Sequence, residues 1–141
     1  MSLQKLLTLT EQEKTDILQS ISLISDKLNV LVEQFYSYFI EESPEIKRLF
    51  QNIDLTKQFN MFNISIGVII SNISNPMLIQ DHLDQIIAKH SFYGVQPNHV
   101  EHFNNAFTKA MMDVYSNNKE IVKLWLKVIH SVMLYFKNKI S

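Results

Sequence analysis

The 141-residue sequence contains no cysteine. This absence excludes disulfide bonds, catalysis by a thiolate, and zinc or iron–sulfur sites that depend on cysteine ligands. Any metal ion must therefore be held by other side chains.

Glycine and proline are also scarce, with 2 glycines and 3 prolines in the whole chain. Sandwiches and barrels need many more turn residues, so this scarcity favours long helices. Two glycines are too few for a phosphate-cradling loop or a dinucleotide-binding fingerprint, and no glycine-flanked serine indicates a nucleophile elbow. The sequence thus argues against hydride transfer and against serine hydrolase chemistry.

An excess of charge of one sign is lacking as well. The 13 Lys and Arg residues balance the 14 Asp and Glu residues to a net charge of −1, and Arg48 is the single arginine. Binding to a nucleic-acid backbone needs a basic excess, so we expect no nucleic-acid partner. No run of about 18 apolar residues predicts a membrane span, and the N-terminus lacks the apolar segment of a signal peptide. We expect a cytoplasmic protein without a membrane partner.

The length and the apolar content predict one folded domain. Hydrophobic residues make up 46% of the chain and charged residues 19%, as in ordinary globular proteins. A chain of this length can bury one core but leaves no room for a second catalytic domain. We expect a single domain over residues 1–141, with residues 1–9 as a short N-terminal extension.

Helix signals follow one another along the chain. Thr10 and Glu13 form a capping-box pattern, and Ser43 followed by Pro44 is typical of a helix start. Apolar residues recur three or four apart, and helical patterns cover residues 17–28, 32–39, 44–50, 59–73, 77–91, 100–114 and 121–136. These patterns predict an all-α protein of roughly six to eight helices.

Two histidines offer a metal site on spacing alone. His99 and His102 lie three apart on one predicted helix face. No third ligand follows nearby, and zincins use two histidines four apart. We interpret both as surface histidines, and Glu41, Glu42 and Glu45 as a solvated face.

His90 can be interpreted in two ways from the residues alone. It ends the predicted helix over 77–91, where the helix dipole favours a histidine without any ligand role. The 9 Phe, 5 Tyr and 1 Trp concentrate on the helical stripes, where they form either an ordinary core or a pocket for a flat cofactor. Both interpretations remain open at this level.

Three segments carry a family resemblance: FY at residues 35–36, PEIKRLF at 44–50 and AKHSFYGVQPNH at 88–99. Together they resemble the globin family, most closely the haem domains of bacterial flavohaemoglobins and related single-domain globins. The resemblance covers nearly the whole chain and is strongest in the order and spacing of Tyr36, Phe50, His90 and Pro97. It implies a globin fold, a three-over-three helical sandwich around a haem pocket, with haem b (iron protoporphyrin IX) as cofactor.

The resemblance implies a role for each matching residue. His90 would be the proximal ligand, coordinating the iron through its imidazole. Phe50 would wedge against the haem face, and the Tyr36 hydroxyl would enter the distal pocket and donate a hydrogen bond to a bound ligand. Lys89 could reach a haem propionate, and Val95 would pack on the haem edge.

At the distal gate, relatives often have a glutamine four residues before an apolar residue over the iron. Here the loop over residues 51–56 permits two alignments. One alignment places Lys57 at the gate with Met61 over the iron, and the other places Gln58 and Phe62 there. A lysine could pair with a propionate or, if deprotonated, coordinate the iron, whereas a glutamine would hydrogen-bond the ligand. We prefer the Lys57 alignment.

Two departures from flavohaemoglobins bear on function. A tyrosine and a glutamate that hold the proximal histidine in a polar network are replaced here by Val100 and Ile140. Neither side chain can accept a hydrogen bond from an imidazole, so the added ligand basicity is lost. The flavin and NAD reductase portion is also absent, so turnover would need a separate reductase.

Three functions follow from these observations. The first is reversible binding of oxygen, NO or CO for transport, storage or sensing, without enzymatic activity. The second is a nitric-oxide dioxygenase that works with a separate reductase. The third is a haem-free, globin-like module that acts through a protein interface. We prefer the first, in a monomer or homodimer.

Overall fold

A computed structural model describes residues 1–90 and 95–140, and of His90 it describes the backbone alone. This part of the chain forms eight helices and no strand. They are α1 (Leu3–Leu6), α2 (Glu11–Asp26), α3 (Leu28–Ile40), α4 (Pro44–Leu49), α5 (Leu55–Ser71), α6 (Pro76–His90), α7 (His99–Val114) and α8 (Lys119–Ile140). The predicted all-α class is confirmed.

Local capping explains where three of these helices begin. Thr10 and Glu13 form the predicted capping box, with each side chain bonded to the other's backbone N–H. The Ser43 side chain accepts from the Ile46 N–H ahead of Pro44 at the first helical position. The predicted start of α5 at Phe59 is wrong, because the Asp54 side chain caps the backbone N–H groups of the first turn and the helix begins at Leu55.

The core lies where α3, α7 and α8 pack together. α3 packs on α7 more extensively than on any other helix, and α7 also packs on α8. Trp125 of α8 is buried, and its indole N–H donates to the Ser20 hydroxyl of α2 at 2.8 Å. The buried Tyr115 hydroxyl donates to the Ile24 carbonyl at 2.8 Å. These two bonds satisfy polar groups that would otherwise be costly to bury.

The N-terminal segment packs into the same structure. Residues 1–9 were expected to form a short extension. Within them α1 packs on α6 and α8, and its residue Leu3 is fully buried. The Leu3 N–H donates to the side-chain oxygen of Gln80 on α6 at 2.9 Å. This segment therefore helps to hold α6 in place.

Helix α6 carries the buried residues Ile79 and Leu83 on the face that meets the core. His90 is the last residue of α6, and it follows Leu83 by seven positions, which is close to two helical turns. The helix backbone thus places His90 on the same face as Leu83. None of the helices in the described ranges is long and apolar enough to cross a membrane.

Candidate functional site

An aromatic cluster surrounds Tyr36 on α3. Tyr36 is only 4% exposed, and its ring stacks on Phe59 with the two ring centroids 5.1 Å apart. The rings of Phe50 and Phe62 each meet it edge-on, with centroids 5.8 Å away. Three parts of the chain therefore converge on one phenol: α3, the residue that follows α4, and α5.

The Tyr36 hydroxyl is a polar group in these apolar surroundings. Burial raises the pKa of Tyr36 well above its ordinary range, and a hydrogen bond with the Gln58 side chain opposes only part of this rise. A phenol is already protonated at neutral pH at its ordinary pKa, and burial reinforces this, so the hydroxyl keeps its hydrogen for donation.

The structure brings Gln58 and not the preferred Lys57 to this phenol. α5 begins at Leu55, so Lys57 lies in its first turn with an exposed side chain, whereas Gln58 is half-buried beside Tyr36. Met61 is 39% exposed, while Phe62 packs on rings of α3 and α7. Of the two predicted gate residues, Gln58 is thus the one that lies beside Tyr36.

The proximal half of the predicted site is described only in part. His90 ends α6, but its side chain lies outside the described part of the chain, as do residues 91–94 of the predicted loop. Lys89 is exposed at the end of α6, and Val95 is half-buried where the described chain resumes. The proposed roles of these residues remain predictions.

A tyrosine that the sequence analysis did not single out ties α6 to α8. The Tyr135 hydroxyl lies 2.5 Å from an Asp84 carboxylate oxygen. Burial, with this carboxylate, raises the pKa of Tyr135, so the phenol is the donor. Asp84 precedes His90 by six residues, so this bond fixes α6 one to two turns before its end. The contact joins residues 51 apart, and no local pattern signals it.

The two histidines of α7 bind separate glutamates, and His99 is not the surface residue that we predicted. It is 4% exposed, and its Nε2 lies 2.8 Å from a Glu45 carboxylate oxygen. Its Nδ1 accepts the Gln96 N–H, so the imidazole is the neutral tautomer that donates from Nε2. The two histidines therefore bond to different carboxylates. Among the described residues, no group of three His, Asp or Glu side chains could hold a metal ion.

Glu42 is likewise no part of a solvated face, because its side chain is only 12% exposed. His102, Asn105 and Lys109 of α7 lie 3.2–3.4 Å from its carboxylate oxygens. Burial alone would raise the pKa of Glu42, but these hydrogen bonds outweigh it and the pKa is lowered. The carboxylate therefore anchors the loop after α3 to α7.

We expect Glu42→Gln to lower the free energy of unfolding by about 1 kcal/mol at pH 7. Because the folded pKa lies below the unfolded value near 4.3, the carboxylate stabilises the protein above that value and loses its effect as the pH falls through the folded pKa. The difference from the original protein should therefore hold from pH 7 to about pH 5 and shrink below about pH 4. Urea unfolding across this range measures it.

Glu41→Gln is the matched control, since the Glu41 side chain is 70% exposed. Its ion pair with Lys47 is long, with 3.7 Å between the Lys47 Nζ and the carboxylate oxygen. The effect of Glu41→Gln should be smaller than that of Glu42→Gln at every pH. An equal loss of stability from Glu42→Gln at acidic and neutral pH would contradict the role of the charge.

Comparison with known proteins supports the family resemblance. A family model described as Globin matches residues 33–135. Flavohemoproteins from two strains of Xylella fastidiosa, Temecula1 and 9a5c, are each 25% identical over 116 residues. These matches cover 79% of this chain but 29% of each relative, so the chain corresponds to less than a third of those proteins.

A solved structure shares the fold over most of its length. It is an engineered carbene transferase, a variant of a presumed nitric oxide dioxygenase from Rhodothermus marinus. The TM-score is 0.80 with 18% sequence identity, over 94% of this chain and 93% of that one. At this identity the likeness establishes the arrangement of helices.

Proposed function

This chain belongs to the globin family, and on that premise we propose that it binds haem b through His90 and reversibly holds a diatomic ligand such as oxygen, NO or CO. One observation carries the proposal: a buried phenol, Tyr36, lies beside the amide of Gln58 within an aromatic cluster. A phenol kept protonated in an apolar setting suits recognition of a small polar ligand better than it suits a plain core.

The residues fit a flat, largely apolar cofactor. Phe50, Phe62 and Val95 are only half-buried by protein alone, so a cofactor against them would cover apolar surface. Lys57 and Lys89 are exposed near the start of α5 and the end of α6, where their ammonium groups could pair with propionates. The helix face of α6 that carries Leu83 reaches His90, the iron ligand that we propose.

Haem, when bound, supplies the iron that takes up the diatomic ligand. The side chains of the protein bind the haem and orient the diatomic ligand. We propose that the Gln58 amide N–H donates to the phenol oxygen of Tyr36, in keeping with the lowering effect of Gln58 on the pKa of this phenol. The phenolic hydrogen is then free to point at a ligand, and the surrounding rings exclude competing water.

Absorbance spectra of the purified protein, titrated with haem and then reduced and exposed to CO, test this proposal. We expect an intense haem band that saturates at about one haem per chain and shifts when CO binds. A folded, colourless protein that rejects added haem would contradict the proposal and favour the haem-free interaction module.

Tyr36→Phe should speed oxygen release by about tenfold to a hundredfold, because a hydrogen bond to a partly charged group contributes roughly 1.5–3 kcal/mol. The rate of association should change much less, since the hydrogen bond forms after the ligand has entered. Stopped-flow displacement of oxygen by CO measures release. Tyr38→Phe is the control, because the Tyr38 hydroxyl bonds to Asp113 on the surface between α3 and α7. Equal rates of oxygen release from the two variants would show that Tyr36 does not hydrogen-bond the ligand.

A second candidate is a nitric-oxide dioxygenase that works with a separate reductase. The names of the related proteins favour it, as does the pairing of Tyr36 with Gln58. Val100, at the position of the polar proximal tyrosine, argues for ligand binding instead. Stopped-flow mixing of the oxygenated protein with NO tests one turnover, and repeated nitrate formation requires a reductase that returns the iron to the ferrous state. If no cellular reductase sustains turnover, the enzymatic role is excluded.

A further inference from the structure

A pocket of about 190 Å³ lies between α3 and α5 and borders the aromatic cluster at Phe59. Its floor consists of the buried or half-buried residues Val32, Phe59 and Asn63. Its rim consists of exposed polar residues, which are Asn29, Glu33, Thr56 and Asn60. The pocket is therefore open to solvent at its polar rim and closed by apolar and half-buried side chains at its floor.

Phe59 borders both this pocket and the candidate ligand site. One side of the ring lines the pocket floor, and the ring also stacks on Tyr36 with an angle of 27° between the two planes. Phe59 and Phe62 are both half-buried, and Phe62 also packs on rings of α3 and α7. The Phe59 ring is thus the side chain that borders both the pocket and Tyr36.

The floor of the pocket also contains an unsatisfied polar atom. The side-chain oxygen of Asn63 is buried and has no hydrogen-bond partner within the described residues. A buried acceptor of this kind is normally satisfied by a water molecule. A water molecule can therefore enter from solvent as far as the floor, next to Phe59.

We propose that this pocket is a side entrance for small uncharged diatomic ligands and that the Phe59 ring is its inner gate. The pocket volume is several times the roughly 30 Å³ that one water molecule occupies in the liquid. Glu33 is the charged residue at the rim, so an anion is repelled there while a neutral ligand is not. The inference rests on the proposed haem site, because it assigns the route to that site.

Closing the outer rim tests the route without touching Tyr36. Asn60→Trp places a large ring at the mouth, and Ile64→Trp is the matched control one turn later on α5, where the residue is 60% exposed and does not line the pocket. In the haem-bound protein, flash photolysis should show CO association about fivefold slower in Asn60→Trp, which corresponds to a barrier about 1 kcal/mol higher. Dissociation should slow by the same factor, because closing a route leaves the free and bound states unchanged.

The paired change in both rates distinguishes a route from a binding contact. Loss of a contact with the ligand changes the equilibrium constant, whereas loss of a route does not. Unchanged rates in Asn60→Trp, or a change of equal size in Ile64→Trp, would overturn the proposal and leave entry beside Gln58 as the alternative.

A second measurement does not depend on haem. Dissolved oxygen is paramagnetic, so under oxygen pressure it should broaden the methyl NMR signals of Val32 on the pocket floor more than those of Ile17, which is fully buried in α2. Asn60→Trp should abolish this difference. Equal broadening of the two residues would overturn the pocket as an entrance, whereas selective broadening in a protein that rejects haem would refute the haem site alone.

Discussion

His90→Ala is expected to lower haem affinity by more than about a hundredfold, because even the partners of a metal-bound histidine typically contribute ten- to a hundredfold. The iron would lose its protein ligand, while the apolar contacts from Phe50 and Val95 would be left to hold the porphyrin. Titration of the variant with haem, followed by absorbance, measures the change in affinity.

Two further variants separate coordination from a structural effect. His90→Gly with added imidazole should recover much of the haem band, because free imidazole can occupy the vacated position and supply the nitrogen ligand. His130→Ala removes an exposed histidine from α8 and should leave haem affinity unchanged. An unaltered haem band in His90→Ala, at unaltered affinity, would require another ligand for the iron.

Helix starts that depend on neighbouring residues were predictable from the sequence. The Thr10–Glu13 box and the Ser43-Pro44 start act across three or four residues, so their signal is contained in a short segment. The apolar stripes were equally local. α7 and α8 bury the predicted positions Phe107 and Trp125 because a stripe of apolar side chains forms a face wherever the backbone is helical.

The distal gate could not be settled in this way. The choice between Lys57 and Gln58 depends on a shift of one residue, and such a shift turns a helical position by about 100°. The side of α5 that faces Tyr36 is set by packing against α3, a contact between separate helices that no local pattern reports. In the structure Gln58 is the side chain that lies beside Tyr36, which is why we propose it as the gate residue.

Contacts between segments far apart in the sequence were harder still to predict. Glu45 and His99 are 54 residues apart, and Asp84 and Tyr135 are 51 apart. The neighbouring residues in the sequence do not distinguish these four residues from solvated surface residues, and the sequence predicts Glu45 and His99 to be such residues. Both contacts hold elements next to the candidate site, since Glu45 lies on α4 before Phe50 and Asp84 lies on α6 before His90.

Phe35→Ala should be among the most destabilising single substitutions in this protein. Phe35 is fully buried on α3, and its ring centroid lies 4.7 Å from that of Phe103 on α7 and 4.9 Å from that of Phe62 on α5. Truncating a phenylalanine in such a position leaves a cavity and costs about 3–5 kcal/mol, a large part of the roughly 5–15 kcal/mol that stabilises a domain. Urea unfolding of the haem-free protein measures the loss.

The same substitution tests whether the aromatic core and the candidate site are one unit. Phe35 also contacts Tyr36, with ring centroids 4.9 Å apart, so a cavity at Phe35 loosens the wall that holds the phenol. Met112→Ala, on the same helix as Phe103 but 58% exposed, should cost less than about 1 kcal/mol. A loss from Phe35→Ala no larger than that of this control would mean that the rings repack around the gap. If the loss is large and oxygen release is also faster, the packing of α3 against α7 sets the position of Tyr36 as well as the stability of the fold.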